Sequence, residues 1–317
     1  MNIDEGRKVL IAYHANCIDG FTSAWACWRG LIDTTSVLSD DIDFIAMTYD
    51  EQKAILYKAA EYDVIFMVDF SLSINTLRMM PSKPKLIIID HHKTAFDMYS
   101  ESFLPNTVYP HIFEHSNLYG ATVIMNLKES GATLTWKYFF PEGPIPALAK
   151  YVRDYDLYRF KFPETKFLNR YFRTQEKTIE NWELLGHALE NVERRNMLTM
   201  IGKHLDTYHN QIVIDLITHS VESCMLAGET GLCVNCSPHF KDEVGNLLAE
   251  QSGTFGATWQ QEPNGKVKWS LRSIGDYDVS VIAAKFGYGG HRNAASFYLS
   301  TPTDSVENLG ITLWENE

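Results

Sequence analysis

The sequence predicts an α/β protein: an N-terminal domain on a doubly wound, mostly parallel sheet, a helical linker, and a smaller C-terminal α+β domain. Three observations predict it. Four short apolar runs, "KVLIAY" (8–13), "DFIAMTY" (43–49), "DVIFMVDF" (63–70) and "KLIIID" (85–90), lack clean alternation, as strands covered on both faces do. Between them, "GFTSAWACWRGL" (20–31), "EQKAILYKAAEY" (51–62) and "SLSINTLRMM" (71–80) carry apolar residues at helical spacing, so the order reads βαβαβαβ. After residue 224 the texture changes to "GLCVNC", "GATWQQ" and "KVKWSLRS", the last two joined by the turn-forming "EPNGK".

The remaining elements follow in chain order. From about residue 120 the chain reads as helical, through "GATVIMNLKESGATLTWKYFF" and then "PIPALAKYVRDYDLYRF" behind a Pro-rich turn. Residues 180–220 read as one or two long polar helices, suited to a connector. "DEVGNLLAEQ" and "DVSVIAAKF" are helical stretches among the C-terminal strands, and "ASFYLS" is a last strand. The expected boundaries are 1–179 for the α/β domain, 180–223 for the linker and 224–317 for the C-terminal domain. A chain of 317 residues is long enough for two cores.

Composition narrows the function. With 28 Lys+Arg against 40 Asp+Glu the formal charge is −12, which argues against a long duplex nucleic acid as partner, since that grip depends on neutralising phosphates. Small anionic ligands stay compatible, because a metal or a local basic pocket overrides the global field. Five cysteines, at 17, 27, 224, 233 and 236, form no secreted disulfide framework and read as reduced thiols. The pair in "CVNC" reads as packing. No run reaches the apolar length of a membrane helix, and the first residues lack a signal-peptide pattern. The expectation is a cytoplasmic protein with no membrane partner; a homodimer is compatible with the sequence.

In a parallel α/β sheet, ligands bind beyond the carboxyl ends of the strands. Each apolar run ends in chemistry: His14 and Asp19 in "HANCIDG", Asp69 after "DVIFMV", and Asp90, His91 and His92 after "KLIII". All these groups fall on one rim. Asp154 and Asp156 follow in "YVRDYDLYRF". Asp69 alone could cap a helix, and His14 alone could be a loop histidine. Three titratable groups closing a buried strand, however, need partners. Carboxylates beside neutral imidazoles suit Mn²⁺, Fe²⁺, Co²⁺ or Zn²⁺ better than Mg²⁺ or Ca²⁺. In the C-terminal domain, "GYGGH" (287–291) lets backbone N–H groups approach an anion, and Arg272 could fork onto a phosphate or carboxylate.

These stretches resemble the DHH phosphoesterase superfamily. "DHH" at 90–92, the upstream "HANCIDG" and "MVDFS", and the later "RDYD" match its N-terminal motifs. "SLRS" at 270–273, with "DVSVIAAKFGYGGHRNAASF" at 278–297, is similar to the DHH-associated C-terminal domain, whose hallmark is Gly-Gly-Gly-His followed by Ala-Ala. The resemblance implies a manganese centre of one or two ions, other divalent transition metals being alternatives. It implies His14, Asp19, Asp69, His91 and one aspartate of "RDYD" as metal ligands, Asp154 being taken here over Asp156, with Asp90 as the residue orienting the histidines and His92 on the scissile phosphate. Arg272, Gly289, Gly290 and His291 would bind substrate. Two departures stand out. "HANCIDGF" holds one carboxylate, with Asn16, Cys17 and Phe21 in the neighbouring places where a second could stand, and Tyr288 replaces a glycine of the C-terminal hallmark.

The implied activity is metal-dependent hydrolysis of short or cyclic oligonucleotides by an activated water. A phosphomonoesterase or exopolyphosphatase using the same metal site is the alternative, and a non-catalytic nucleotide-binding protein a third reading.

Overall fold

The computed structural model describes residues 3–102 and 111–300, with the backbone of 312–314. Its Cα packing separates two compact units, residues 1–205 and 206–317.

The N-terminal unit is built on six strands: β1 (Val9–His14), β2 (Ile42–Met47), β3 (Val64–Val68), β4 (Lys85–Asp90), β5 (Ile112–Leu118) and β6 (Ala121–Asn126). They lie in the order β2-β1-β3-β4-β6-β5. All neighbours are parallel except β5 and β6. Strand order reverses beside β1, because β2 adds on one side and β3 on the other. The carboxyl ends of β1 and β3 therefore form the crevice where doubly wound sheets bind ligands.

Helices cover both faces. Strand residues of one parity, Leu10, Ala12, Ile65, Met67 and Ile88, pack with Ile55, Leu77, Phe96 and Tyr99. These come from α2 (Ala54–Lys58), α3 (Ile74–Arg78) and α4 (Lys93–Ser102). The alternate set, Val9, Ile11, Phe66, Ile87 and Ile89, packs with Ala24, Cys27, Leu31 and Leu134 from α1 (Ile18–Thr34) and α5 (Gly131–Phe139). The other side of α1 presents Phe21 and Trp25 to a third cluster containing Leu148, Phe172 and Trp182. That cluster is contributed by α6 (Ala147–Asp156), α7 (Thr165–Phe172) and α8 (Ile179–Glu190). Buried on both sides, α1 is a central helix, which is why "FTSAWAC" has so few polar residues.

Two elements differ from the sequence expectation. "DFIAMTY" was expected to be covered on both faces, but β2 is an edge strand with Phe44 38% exposed. An apolar run reports strand character and not sheet position. "GATVIMN" was expected to be helical, but it forms β6, alternating in burial and paired with β4. Its β-branched Thr122, Val123 and Ile124 suit a pleated surface, and pairing with β4 overrides the helical spacing.

Two helices close the region expected to link the domains: α8, packed within the N-terminal unit, and α9 (Val192–His219), which runs across the boundary at 205. The C-terminal unit holds β7 (Glu222–Leu226), β8 (Glu229–Asn235), α10 (Lys241–Ser252), β9 (Phe255–Gln261), β10 (Val267–Ser273), α11 (Val279–Lys285), β11 (Gly290–His291), β12 (Ala294–Leu299) and β13 (Thr312–Trp314). Its sheet runs β11-β12-β10-β9-β8-β7-β13, antiparallel except for β8 and β9, which α10 joins. The "EPNGK" turn closes the β9–β10 hairpin, with Gly265 at φ 84° and the Glu262 N–H donating to the Lys266 carbonyl. All five cysteines are free thiols, and Cys224 and Cys233 pack in the core of this unit. No helix among the described residues is long and apolar enough to cross a membrane.

Candidate metal centre

The site is assembled from the chain segments that leave β1, β3 and β4 on one rim. β1 delivers His14. The next residues turn sharply, Asn16 taking a left-handed φ of 56°, so that α1 begins immediately and carries Asp19 back toward the strand end. Gly20 permits the close return, since a Cβ there would stand 2.3 Å from the His14 carbonyl oxygen. After β3, Asp69 also adopts a left-handed φ of 56°. Aspartate tolerates this region better than most residues, and such backbone strain persists where surrounding structure holds it. Asp69 does not cap α3; the cap is Ser73, whose hydroxyl accepts the Thr76 N–H.

Asp69 is the centre of the arrangement. Its side chain is 1% exposed, and neither carboxylate oxygen accepts a hydrogen bond. His91 Nε2 lies 3.1 Å from Oδ1 and His14 Nδ1 lies 3.7 Å from Oδ2. His14 Nδ1 is likewise buried without a hydrogen-bond partner. A buried carboxylate with both oxygens unmatched is costly, unless a cation completes it.

Asp19 faces the same space differently. The N–H groups of Gly131 and Ala132 donate to its two oxygens at 2.6 and 3.1 Å, so its carboxylate caps α5. His91 Nε2 is 3.5 Å from Asp19 Oδ2 and 3.4 Å from Asp156 Oδ2. Three overlapping donor triads result: His14, Cys17 and Asp69; Asp69, His91 and His92; Asp19, His91 and Asp156. Within each, the ligating atoms all lie within 4.8 Å of one another. Imidazole nitrogens and carboxylates packed this closely, around orphaned buried oxygens, fit a divalent transition metal.

Asp90 lies beneath the cluster rather than in it. It accepts from Ser71 Oγ at 2.5 Å and from the His91 and His92 N–H groups at 2.7 and 3.2 Å, and it holds His92 Nδ1 at 2.7 Å. The fully buried carboxylate thereby fixes the tautomer and aim of His92, leaving Nε2 for the cleft.

The structure places Asp154, expected as the last ligand, away from the cluster. Its carboxylate is 2% exposed and accepts from the Lys161 and Phe162 N–H groups and from Thr165 Oγ1 at 2.9, 3.1 and 2.6 Å. It ties the turn after α6 to the start of α7. Asp156 takes the place at the cluster instead. Asp156→Ala is therefore expected to weaken metal binding without lowering the melting temperature of the metal-free protein. Asp154→Ala is expected to cost about 1–3 kcal/mol of stability while leaving metal affinity nearly unchanged, because it orphans buried donors. Calorimetric titration and thermal melting of both variants check this.

The electrostatics follow from the crowding. Burial alone would lower the pKa of His91, but Asp69, Asp19 and Asp156 outweigh it and raise it to about 10. Burial alone would likewise lower the pKa of His92, but Asp90 and Asp69 outweigh it and raise it to about 9. Burial pushes Asp69 up, yet His14, His91 and His92 hold it well below the usual carboxylate range. Asp19 is pushed far up by burial and then by Asp69 and Asp156. Burial, then Asp69 and Asp19, also push the Cys17 thiol up.

These shifts move the pH dependence upward from the ordinary imidazole range. The folded pKa values of His91 and His92 exceed the unfolded value of about 6.5. Their pairing thus stabilises the metal-free protein fully below that value, and the contribution is lost as pH rises through 9 and 10. A metal ion must displace the His91 proton, so its affinity is expected to rise by about tenfold per pH unit per proton from pH 6 to 9. Titrations at stepped pH measure it; an affinity flat over that interval would contradict the ligation of His91.

Sequence reasoning missed the contribution of α5. Gly131 and Ala132 supply both N–H groups that hold Asp19, and the helix opens with a capping box between Ser130 and Thr133. The signal was present as "SGAT", a serine three residues before a threonine, but it lay inside a stretch read as continuous helix.

In the C-terminal unit, Arg272, Gly289 and Gly290 line one groove with Lys241, Lys268 and Ser270. Arg272 is held by Asp242 and by its donation to the Leu271 carbonyl. His291, expected beside them, ends β11 exposed and does not line this groove.

Comparison with known proteins gives three findings. Residues 241–310 match the DHHA1 domain. The chain is 30% identical to "Uncharacterized protein R106" of Acanthamoeba polyphaga mimivirus over 321 residues, covering 95% of this chain and 71% of that protein. Among solved structures it is similar to RecJ in complex with Mn²⁺ from Thermus thermophilus, at 14% identity and a TM-score of 0.47, covering 93% of this chain and 50% of RecJ. It is also similar to an exopolyphosphatase-related protein from Bacteroides fragilis, at 13% identity and a TM-score of 0.46, covering 96% of this chain and 90% of that one. The pGpG-specific phosphodiesterase PggH from Vibrio cholerae is similar at 11% identity and a TM-score of 0.44, with 96% of each chain covered.

Proposed function

Because the chain belongs to the DHH phosphoesterase superfamily, in one family with the mimivirus protein, we propose that it hydrolyses phosphodiester bonds in short oligonucleotides or cyclic dinucleotides with a manganese-type centre. Metal-dependent phosphoester hydrolysis is the enzyme class of this superfamily. The finer reading is carried by one observation, a basic groove that continues into an aromatic one. The groove of Arg272, Gly289 and Gly290, about 200 Å³, shares Lys241, Lys268 and Ser270 with a neighbouring groove of about 180 Å³ lined by Trp259. Trp259 is half-buried and stacks on Trp269 at 6.1 Å between centroids. A phosphate against Arg272 and the two lysines, with a base against the indole, describes a nucleotide rather than a polyphosphate.

A divalent ion held by His14, Asp19, Asp69, His91 and Asp156 would supply Lewis acidity and an activated water at neutral pH. The protein's own groups do the rest. The α5 amides keep Asp19 in one rotamer, so the donor set is preorganised. Asp90 raises His92 to about 9 and fixes its Nδ1, so at neutral pH the ring presents a protonated Nε2 to a phosphoryl oxygen. Five free thiols suit a reducing cytoplasm.

The test is a Mn²⁺-supplemented assay on dinucleotides, short oligoribonucleotides, cyclic dinucleotides and polyphosphate, with products identified by mass. Nucleoside monophosphates are the expected products, and Trp259→Ala is expected to raise KM for dinucleotides by roughly tenfold, since stacking contributes about 1–3 kcal/mol per base. Inorganic phosphate from polyphosphate, with no nucleotide turnover, would replace this reading by the exopolyphosphatase one.

A further inference from the structure

The first motif of the metal centre contains a single carboxylate, and its Cys17 is the further residue of that motif whose side-chain donor lies with His14 and Asp69. We propose that Cys17 is a metal ligand, binding through its thiolate and giving this centre a sulfur donor beside His14 and Asp69. The inference rests on the metal-centre reading above and extends it to the donor set and to the class of ion.

Four observations carry it. Cys17 Sγ, a His14 ring nitrogen and an Asp69 carboxylate oxygen all lie within 4.8 Å of one another. Independently of the cysteine, Asp69 is 1% exposed with neither oxygen accepting a hydrogen bond, and His14 Nδ1 is buried 3.7 Å away without one, so two other side chains already bring donor atoms without hydrogen bonds into this space. Cys17 is the N-cap of α1, with extended backbone at φ −109° and ψ 141°, yet its side chain makes no capping hydrogen bond. The Gly20 N–H faces this sulfur, whose further lone pairs stay open to another partner. Finally, the left-handed turn at Asn16 and the close packing of Gly20 on His14 fix the position of Cys17 relative to the strand end.

Packing alone does not account for this sulfur. A buried thiol acting as a small apolar group sits among hydrocarbon, as Cys27 of α1 does in the cluster with Val9, Ile11 and Leu31. Cys17 instead faces the Asp69 carboxylate and the His14 ring. On coordination the S–H bond breaks, the proton leaves to solvent and the sulfur lone pair binds the ion, so charge balances as a dication gains one thiolate. Sulfur, imidazole and carboxylate together favour the borderline-soft ions Zn²⁺, Co²⁺ and Fe²⁺ over Mg²⁺.

Cobalt titration of the whole chain, prepared metal-free under reducing conditions, tests it. Co²⁺ bound to wild type is expected to produce intense near-ultraviolet sulfur-to-cobalt charge-transfer absorption, saturating with binding. Cys17→Ser and Cys17→Asp are expected to bind Co²⁺ without that band, and to lose preference for Zn²⁺ over Mg²⁺. Circular dichroism and melting of the metal-free variants, matching wild type, establish that they fold. The other four cysteines are buried, so the band reports on Cys17. Cobalt binding without the band in wild type, or a band that survives Cys17→Ser, would overturn the assignment and leave the metal centre standing. Absence of any cobalt, zinc or manganese binding by wild type would overturn the metal centre itself, and Cys17 with it.

Discussion

Asp69→Asn is expected to lower divalent-metal affinity by at least about 100-fold, the upper range for residues that only support ligands. The reason is positional. Asp69, like His91, takes part in two of the three donor triads, and it presents one oxygen toward His14 and the other toward His91. Asparagine keeps the shape and tolerates the left-handed backbone at this position, so the metal-free fold should survive. What goes is the negative charge and one of two acceptor oxygens. At an ion concentration of about a thousand times Kd, binding stabilises a folded chain by about 4 kcal/mol. Wild type should then gain several degrees in melting temperature on adding Mn²⁺ or Co²⁺, and the variant, at about ten times its own Kd or less, at most about a third of that shift. A variant with the same metal-induced shift as wild type would remove Asp69 from the centre.

Gly131→Ala is expected to damage both the fold and the centre, though no substituted atom is a ligand. A Cβ at 131 would stand 2.6 Å from Asp69 Cβ, 2.7 Å from Asp69 Oδ1 and 2.7 Å from Ser23 Oγ. None of these is the free end of a flexible chain; Asp69 sits in a strained turn and Ser23 on a helix buried on both sides. Overpacking of this kind costs about 1–3 kcal/mol. Any relief moves either Asp69 or the N-terminus of α5, and the second route also breaks the Gly131 N–H bond to Asp19. Metal affinity should therefore fall by more than the loss of stability alone produces. Melting of the metal-free variant together with calorimetric titration separates the two. Unchanged stability and affinity would mean that α5 does not brace the centre.

Much of this arrangement is legible in the chain. A parallel sheet sends every strand's carboxyl end to one side, so motifs ending separate apolar runs had to meet at one rim. "KLIIID" followed by two histidines places Asp90, His91 and His92 without further information. The choice between Asp154 and Asp156 was of another kind. Residues two apart on a helix point about 200° away from each other, so one must face the cluster and the other must not. The sequence contains nothing that says which. Packing of α6 against α7 decides it, by turning Asp154 onto the amides of Lys161 and Phe162.

By itself, then, the sequence determined the α/β architecture of the first unit, the rim that carries the chemistry, and the superfamily. The reason is that strand direction and motif position are properties of consecutive residues. Tertiary structure alone decided that β2 lies at the edge, that "GATVIMN" pairs with β4, that the α5 amides hold Asp19, that Asp156 turns toward His91 and Asp19, and that the sulfur of Cys17 turns toward Asp69. Each of these depends on where a distant segment packs, a contact energy that no local pattern encodes.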